Sequence, residues 1–214
     1  GKGLMMRDEG LLYIVSAPSG SGKTTLLKRV MDYFPDIKFS ISYTTRPPRP
    51  GERDGKDYYF ISPQRFQQMV KEKAFAEWAE VLGNRYGTPL DSIREIRSQG
   101  IDLMLDIDSQ GARQIKERFN GGVFIFILPP SLEALKQRLK ARGGDEQEVI
   151  EFRVSKARDE MKQAVWYNYA VINDNFEEAV EQLKSIIIAE RCRWERVLKR
   201  RSLNLGGDLW QGSR

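Results

Sequence analysis

Apolar residues follow two rhythms along this chain. Short unbroken runs at Leu11-Leu12-Tyr13-Ile14-Val15, Ile101 to Ile107 and Val123-Phe124-Ile125-Phe126-Ile127-Leu128 have the length and composition of buried strands. Tyr169-Ala170-Val171-Ile172-Asn173 reads as a last strand, and Asp36 to Ser42 alternates as a half-buried one should. Elsewhere apolar residues recur three and four apart. Leu26, Leu27, Val30 and Met31 predict one helix, and Phe66, Met69 and Val70 a second that Ser62-Pro63 opens. Leu132, Leu135 and Leu139 predict another after Pro129-Pro130-Ser131. Further helices are expected from a Thr88-Pro89 cap to Gly100, from Ser109, from an Asp145/Glu148 capping pair after Gly143-Gly144, and from Phe176 onward. Strands alternating with helices imply an α/β fold whose mostly parallel sheet is covered on both faces. No internal repeat or low-complexity tract interrupts the pattern.

The first strand and first helix are joined by Ala17-Pro18-Ser19-Gly20-Ser21-Gly22-Lys23-Thr24. A strand, a Gly-rich turn and a helix opening at Lys-Thr form the context of a phosphate-binding P-loop. Gly20 and Gly22 let consecutive N–H groups point inward at anionic oxygens, helped by the helix N-terminus. Lys23 adds a full charge for the β- and γ-phosphates, and the Thr24 hydroxyl is a ligand for Mg²⁺. Ala17 stands where the pattern usually opens with Gly, and alanine fits there if the backbone avoids a positive φ. The loop alone says only that a nucleoside triphosphate is bound.

Charge and composition narrow the class. With 214 residues, 40% hydrophobic and 30% charged, the chain suits one globular domain with inserts. No apolar run approaches the roughly 20 residues that span a bilayer, and the start lacks the apolar core of a signal peptide. A single cysteine, Cys192, excludes an intramolecular disulfide and fits a cytoplasmic location. The net charge of +5 owes much to Arg191, Arg193, Arg196, Lys199, Arg200 and Arg201. These read as solvated residues complementing a helix dipole, and no nucleic-acid partner is expected. Zero histidines exclude His-based acid–base catalysis and a His-ligated metal. The oligomeric state is not set by the sequence, and a homo-oligomer is compatible with it.

The candidate chemistry lies in the loops. Between Thr44 and Phe60, three prolines and two glycines forbid a helix, and Arg46 and Arg49 read either as ordinary surface residues or, held rigid by proline, as a clamp for an anion. Asp106 and Asp108 project to one face at the end of a strand where α/β sheets keep ligands. Arg138 and Arg142 lie one turn apart on a helix, and Arg153 is on the next.

Together these residues resemble the guanylate kinase family. Thr44, Thr45, Arg46, Arg49, Glu52, Gly55, Tyr58 and Phe60 match that family's signature, and the likeness extends through Gly83 to Thr88, Leu105 to Gly111, Pro129-Pro130-Ser131 and Val171 to Asp174. The resemblance implies a P-loop core (1–41, 90–128 and 157–201), an inserted GMP-binding domain (42–89) and a lid (129–156), while the mostly Gly and polar stretch 202–214 reads as a flexible tail. It implies ATP as phosphoryl donor, Mg²⁺ as cofactor and GMP as acceptor. ATP would be held by Ala17 to Thr24, Thr25 and Asn173. Arg46, Arg49, Tyr58 and Tyr86 would hold the acceptor phosphate, while Ser42, Glu77, Thr88 and Asp108 read guanine. The chemistry agrees, since guanine presents N1–H and N2 donors that call for carboxylates, and its O6 calls for a hydroxyl donor. Lys23, Arg46, Arg138, Arg142 and Arg153 would act in transfer, with Thr24 and Asp106 at the metal. Asp106 has a second reading, as the cap of the neighbouring turn. Arg85 replaces a common aromatic without an evident reason. Rival readings are a kinase for AMP, UMP or dTMP, a phosphopeptide-binding scaffold of related fold, and a nucleic-acid binder using the basic C-terminal end.

Overall fold

Leu12 to Ser16 are all buried because they form the central strand of a sheet. The computed structural model describes residues 9–201, with side chains as far as Val197. The expected tail at 202–214 lies outside them. Its strands are β1 (Leu12–Ser16), β2 (Ile37–Phe39), β3 (Tyr43–Thr44), β4 (Tyr59–Phe60), β5 (Phe75–Val81), β6 (Asn84–Pro89), β7 (Asp102–Asp106), β8 (Val123–Leu128) and β9 (Tyr169–Ile172). The helices are α1 (Lys23–Met31), α2 (Pro63–Lys71), α3 (Leu90–Ser98), α4 (Ser109–Arg118), α5 (Leu132–Arg142), α6 (Gln147–Gln163), α7 (Phe176–Arg191) and α8 (Trp194–Arg201).

The main sheet has the order β2-β7-β1-β8-β9, and all its pairings are parallel. Successive side chains of β1 therefore feed two cores. Tyr13 and Val15 join Leu26, Val30, Leu183 and Ile187 under α1 and α7. Leu12 and Ile14 join Ile93, Ala112 and Ile115 under α3 and α4. Val15 pairs with Asp106, so the loops after β1 and β7 leave neighbouring strands at the same edge of the sheet. That edge is where an open α/β sheet binds ligands.

A second sheet of order β4-β3-β6-β5 interrupts the alternation. Here β5 and β6 form an antiparallel hairpin over Leu82-Gly83, both residues having positive φ, as a two-residue twisted turn requires. Leucine in the first turn position hides the hairpin in the sequence. Prolines and glycines between Thr44 and Tyr58 do produce a loop, leading into the very short β4. Helices α5 and α6 pack on each other through Leu135, Leu139, Ile150 and Ala157.

Several local expectations are corrected. The strand expected over residues 36–42 is only Ile37–Phe39, after which the chain crosses to the second sheet. Ser62 caps α2 as expected, accepting a bond from Arg65 N, but Thr88-Pro89 does not cap α3 by side chain. The Thr88 hydroxyl is turned to Glu77 instead. Asp145 and Glu148 make no capping box, because Glu146 is the N-cap residue and Asp145 pairs with Arg153 at 3.4 Å. Nor are the C-terminal arginines free in solvent. Arg191 bridges Asp36 and Asp102, while Arg193 and Arg196 both bond the buried Glu190. Arg191 thereby ties α7 to the main sheet, and Arg196 ties α8 to α7. The side chains of Lys199, Arg200 and Arg201 lie outside the described residues. Among the described residues no helix is long and apolar enough to cross a membrane.

Candidate active site

The turn after β1 is shaped by its two glycines. Gly20 has φ +86° and Gly22 φ +77°, a region side chains avoid, and Gly22 is the residue from which α1 starts. Space enforces the same choice. A Cβ on Gly22 would stand 2.7 Å from Asn173 Nδ2, and one on Gly20 would press on Leu139 at 3.0 Å. Asn173 Nδ2 donates to Ser21 O at 2.8 Å, so this buried residue braces the loop from behind and does not line the cleft. Lys23 Nζ pairs with Asp106 across the ends of β1 and β7. Asp106 therefore restrains the loop's lysine, and it does not cap α4. That cap is Asp108, whose side chain accepts from Gly111 N at 3.0 Å.

One cleft of about 540 Å³ collects most of the expected residues. The loop from Ala17 to Thr25 forms one wall with Asp106 and Asp108. Ser42, Arg49, Tyr58, Glu77 and Tyr86 face it from the second sheet, and Arg138, Arg142 and Arg153 from α5 and α6. Arg46, Thr88 and Asn173 lie behind the wall.

Arg46 is 9% exposed and held by Glu52 through two parallel bonds, Nη1 to Oε1 at 2.7 Å and Nη2 to Oε2 at 3.0 Å. The same Oε1 accepts from Arg49 N at 2.7 Å. One carboxylate thus fixes a guanidinium and the bend of its loop, and the pairing holds Glu52 below the usual carboxylate range. The Arg46 guanidinium also lies 5.2 Å from the Tyr58 ring centre, and Tyr58 meets Tyr86 edge-on. Thr44 and Thr45 of the signature set the register. Thr44 Oγ1 donates to Arg85 O at 3.0 Å, and Arg85 N donates to Thr45 Oγ1 at 2.9 Å, which aligns Arg46 with Tyr86. Arg85 itself covers Trp78 at 5.6 Å and donates to Gln67 at 2.8 Å, tying β6 to α2.

Glu77 is the most deeply buried acid of the cleft, 2% exposed. Burial pushes its carboxyl up to about 7, a rise that the bond from Thr88 opposes and the charge of Asp108 reinforces. Burial also raises Asp108. Of the two hydroxyls expected to read guanine, Thr88 is committed to Glu77 and Ser42 lines the cleft. On the other side, Arg138 Nη2 donates to Asn173 O at 2.9 Å, and Arg153 Nη1 reaches within 3.5 Å of Ser19 Oγ. The sequence reading missed Lys156 and Glu160, which line the cleft and pair at 3.7 Å. Their spacing of three and seven residues from Arg153 places all three on one face of α6, and that periodicity was the available signal.

The glycine-shaped loop thus shares a cleft with the buried Glu77, the half-buried Asp108 and four arginines, Arg49, Arg138, Arg142 and Arg153. The guanylate kinase family model matches residues 9–190. The chain is 58% identical to a guanylate kinase of Geobacter metallireducens over 91% of its own length and 96% of the relative's. It is 57% identical to that of Geobacter sulfurreducens, over 90% and 95%. The crystal structure of guanylate kinase from Anaplasma phagocytophilum superposes with a TM-score of 0.71 at 31% identity, covering 92% of this chain and 97% of that one. These matches extend over nearly the whole length, and the chain belongs to the guanylate kinase family.

Proposed function

We propose that the chain transfers the γ-phosphoryl group of ATP to GMP, giving ADP and GDP, a step of purine nucleotide metabolism and GMP recycling. The observation that carries this reading is the pairing, within one cleft, of the loop after β1 with the buried Glu77 and the half-buried Asp108.

The acceptor needs no general base, because the second pKa of a phosphate monoester is about 6 and GMP is largely dianionic near neutrality. Positioning and charge stabilisation are what remain for the protein to supply. Arg49, Tyr58 and Tyr86 grip the acceptor phosphate, backed by Arg46. Glu77 and Asp108 accept from guanine N1–H and N2, and Ser42 donates to O6. Adenine lacks those donors and would leave the buried Glu77 and the half-buried Asp108 without them, a strong basis for rejection.

On the donor side, main-chain N–H groups of the loop and Lys23 hold the phosphates of ATP. Asp106 keeps the lysine at the mouth of the loop until phosphates arrive. Thr24 offers a hydroxyl and Asp106 a carboxylate beside the loop, the hard oxygen donors that suit Mg²⁺. Those two would hold it, and when bound it neutralises charge on the β- and γ-phosphates. Arg138, Arg142 and Arg153 close over the migrating phosphoryl group as α5 and α6 move as a lid, which also excludes water.

An assay of ADP release with ATP, Mg²⁺ and a panel of GMP, AMP, UMP and dTMP tests the reading. GMP is expected to be the preferred acceptor by orders of magnitude. Absence of GDP overturns the assignment, and preference for another acceptor overturns the roles of Glu77 and Asp108.

A further inference from the structure

Glu77 belongs to a strand that α4 grips along its main chain. The residues responsible, Gln114 and Arg118, share one stripe of that helix with Gly111, the three recurring at intervals of three and four. Gln114 reads Trp78 twice, donating from Nε2 to its carbonyl at 2.7 Å and accepting from its N–H at Oε1 at 3.2 Å. Arg118 Nη1 donates to Ala76 O at 2.8 Å and approaches Phe75 O at 3.4 Å. The main chain is therefore fixed immediately before and immediately after Glu77. Opposite the Glu77 side chain the stripe carries no side chain at all. A Cβ on Gly111 would fall 2.2 Å from Glu77 Oε2 and 2.8 Å from Cδ, while the Gly111 N–H holds the second acid, Asp108.

Gly111 has no backbone need to be glycine. It lies in the first turn of an ordinary helix, where glycine costs about 1 kcal/mol relative to alanine. Its smallness is explained only by the carboxylate above it. We propose that Gly111, together with Gln114, is a positioning residue for guanine recognition: the bare helix surface at Gly111 admits the Glu77 carboxylate, and the Gln114 clamp on Trp78 aims it at the N1–H and N2 edge of the base. This rests on the reading of Glu77 as a guanine contact.

The consequence is a selectivity effect from residues that never touch the nucleotide. Alanine at 111 must push the Glu77 carboxylate aside, because the helix backbone beneath cannot retreat without breaking the core around Ala112 and Ile115. A shorter acid at 77 would no longer collide with the added methyl.

The test is a double-mutant cycle of Gly111→Ala and Glu77→Asp, with Gln114→Met as an independent variant. Readouts are KM for GMP, IMP and ATP, and equilibrium binding of GMP and ATP by calorimetry. IMP keeps N1–H and O6 but lacks the 2-amino group, so it reports whether that amine is still read. Gly111→Ala is expected to raise KM for GMP about 10- to 100-fold, the scale of a lost charge-assisted pair of hydrogen bonds. The preference for GMP over IMP should fall in proportion, and KM for ATP should stay within about threefold, since Gly111 and Gln114 do not line the ATP end of the cleft. Gln114→Met should move the preference the same way by a smaller factor. In the Glu77→Asp background Gly111→Ala should cost little. Multiplicative effects in the cycle, or an unchanged GMP:IMP ratio in both Gly111→Ala and Gln114→Met, overturn the proposal. If the wild type makes no GDP, the kinase reading fails by itself, while a selective loss of GMP binding over ATP binding still decides this inference.

Discussion

Thr88 Oγ1 donates to Glu77 Oε1 at 2.5 Å across the β5–β6 hairpin, and neither side chain is open to solvent. The bond supports the charged form of an acid that burial works to neutralise. It also accounts for a hydroxyl that does not face the cleft. Thr88→Val is expected to raise the Glu77 carboxyl further and to weaken GMP binding, with ATP binding unaffected.

Because the Glu77 carboxyl lies near 7 when folded and near 4.5 when unfolded, the folded state binds the extra proton between those values. Stability therefore falls as pH rises through this window and is lowest above 7. Glu77→Gln removes the effect and should be more stable than wild type at pH 8 by about 3 kcal/mol, with little difference at pH 4.5. Urea titrations at the two pH values measure this. Ligand binding has the opposite sign, because guanine donors need the carboxylate. The affinity for guanosine, which has no titrating phosphate, should drop up to about tenfold per pH unit below 7 in wild type.

The buried Arg46 is paired with the half-buried Glu52, which contributes by holding a guanidinium that would otherwise swing. Glu52→Gln should lower kcat/KM for GMP about 10-fold, the scale of one charge-assisted bond. Arg46→Lys should be no milder, since an ammonium cannot form the two parallel bonds. Steady-state kinetics with varied GMP reads both. An Arg46→Lys enzyme of normal KM would show that the fork is dispensable.

Arg138 is anchored to the carbonyl of Asn173, the residue that braces the P-loop from behind. Arg138→Ala should reduce kcat roughly 10²-fold or more, the scale of one transition-state donor, and change KM for GMP little. A single-turnover rate within a few-fold of wild type would remove it from the transfer step.

Glu190 gives a control far from the cleft. Burial alone would raise its carboxyl, but the bonds from Arg193, Tyr169 and Arg196 outweigh burial and hold it below the usual range. Its contribution is present above pH 4.5 and is lost as pH falls through the lowered value. Glu190→Ala should cost about 2–3 kcal/mol at pH 7 by leaving its partners unpaired, with kcat per folded molecule unchanged. Thermal melts beside initial rates separate the two effects.

What the chain declares locally is what local physics controls. Unbroken apolar runs announced the parallel strands, and glycines flanked by Lys23 and Thr24 announced the phosphate loop, because a strand's burial and a turn's φ are fixed within a few residues. The family resemblance, backed by guanine's donor pattern, even singled out Glu77, which lies downstream of the signature motif. Other features needed distant chain segments to meet. Whether Arg191, Arg193 and Arg196 were solvated depended on Asp36, Asp102 and Glu190 reaching them. The β5–β6 hairpin was hidden because leucine occupies a position where turn chemistry favours asparagine or glycine. That Thr88 serves Glu77 and not the helix after it, and that Gly111 is empty for the sake of a carboxylate 34 positions earlier in the chain, were decided only by packing. Hydrogen bonds and excluded volume act through space, and a linear pattern records neither partner.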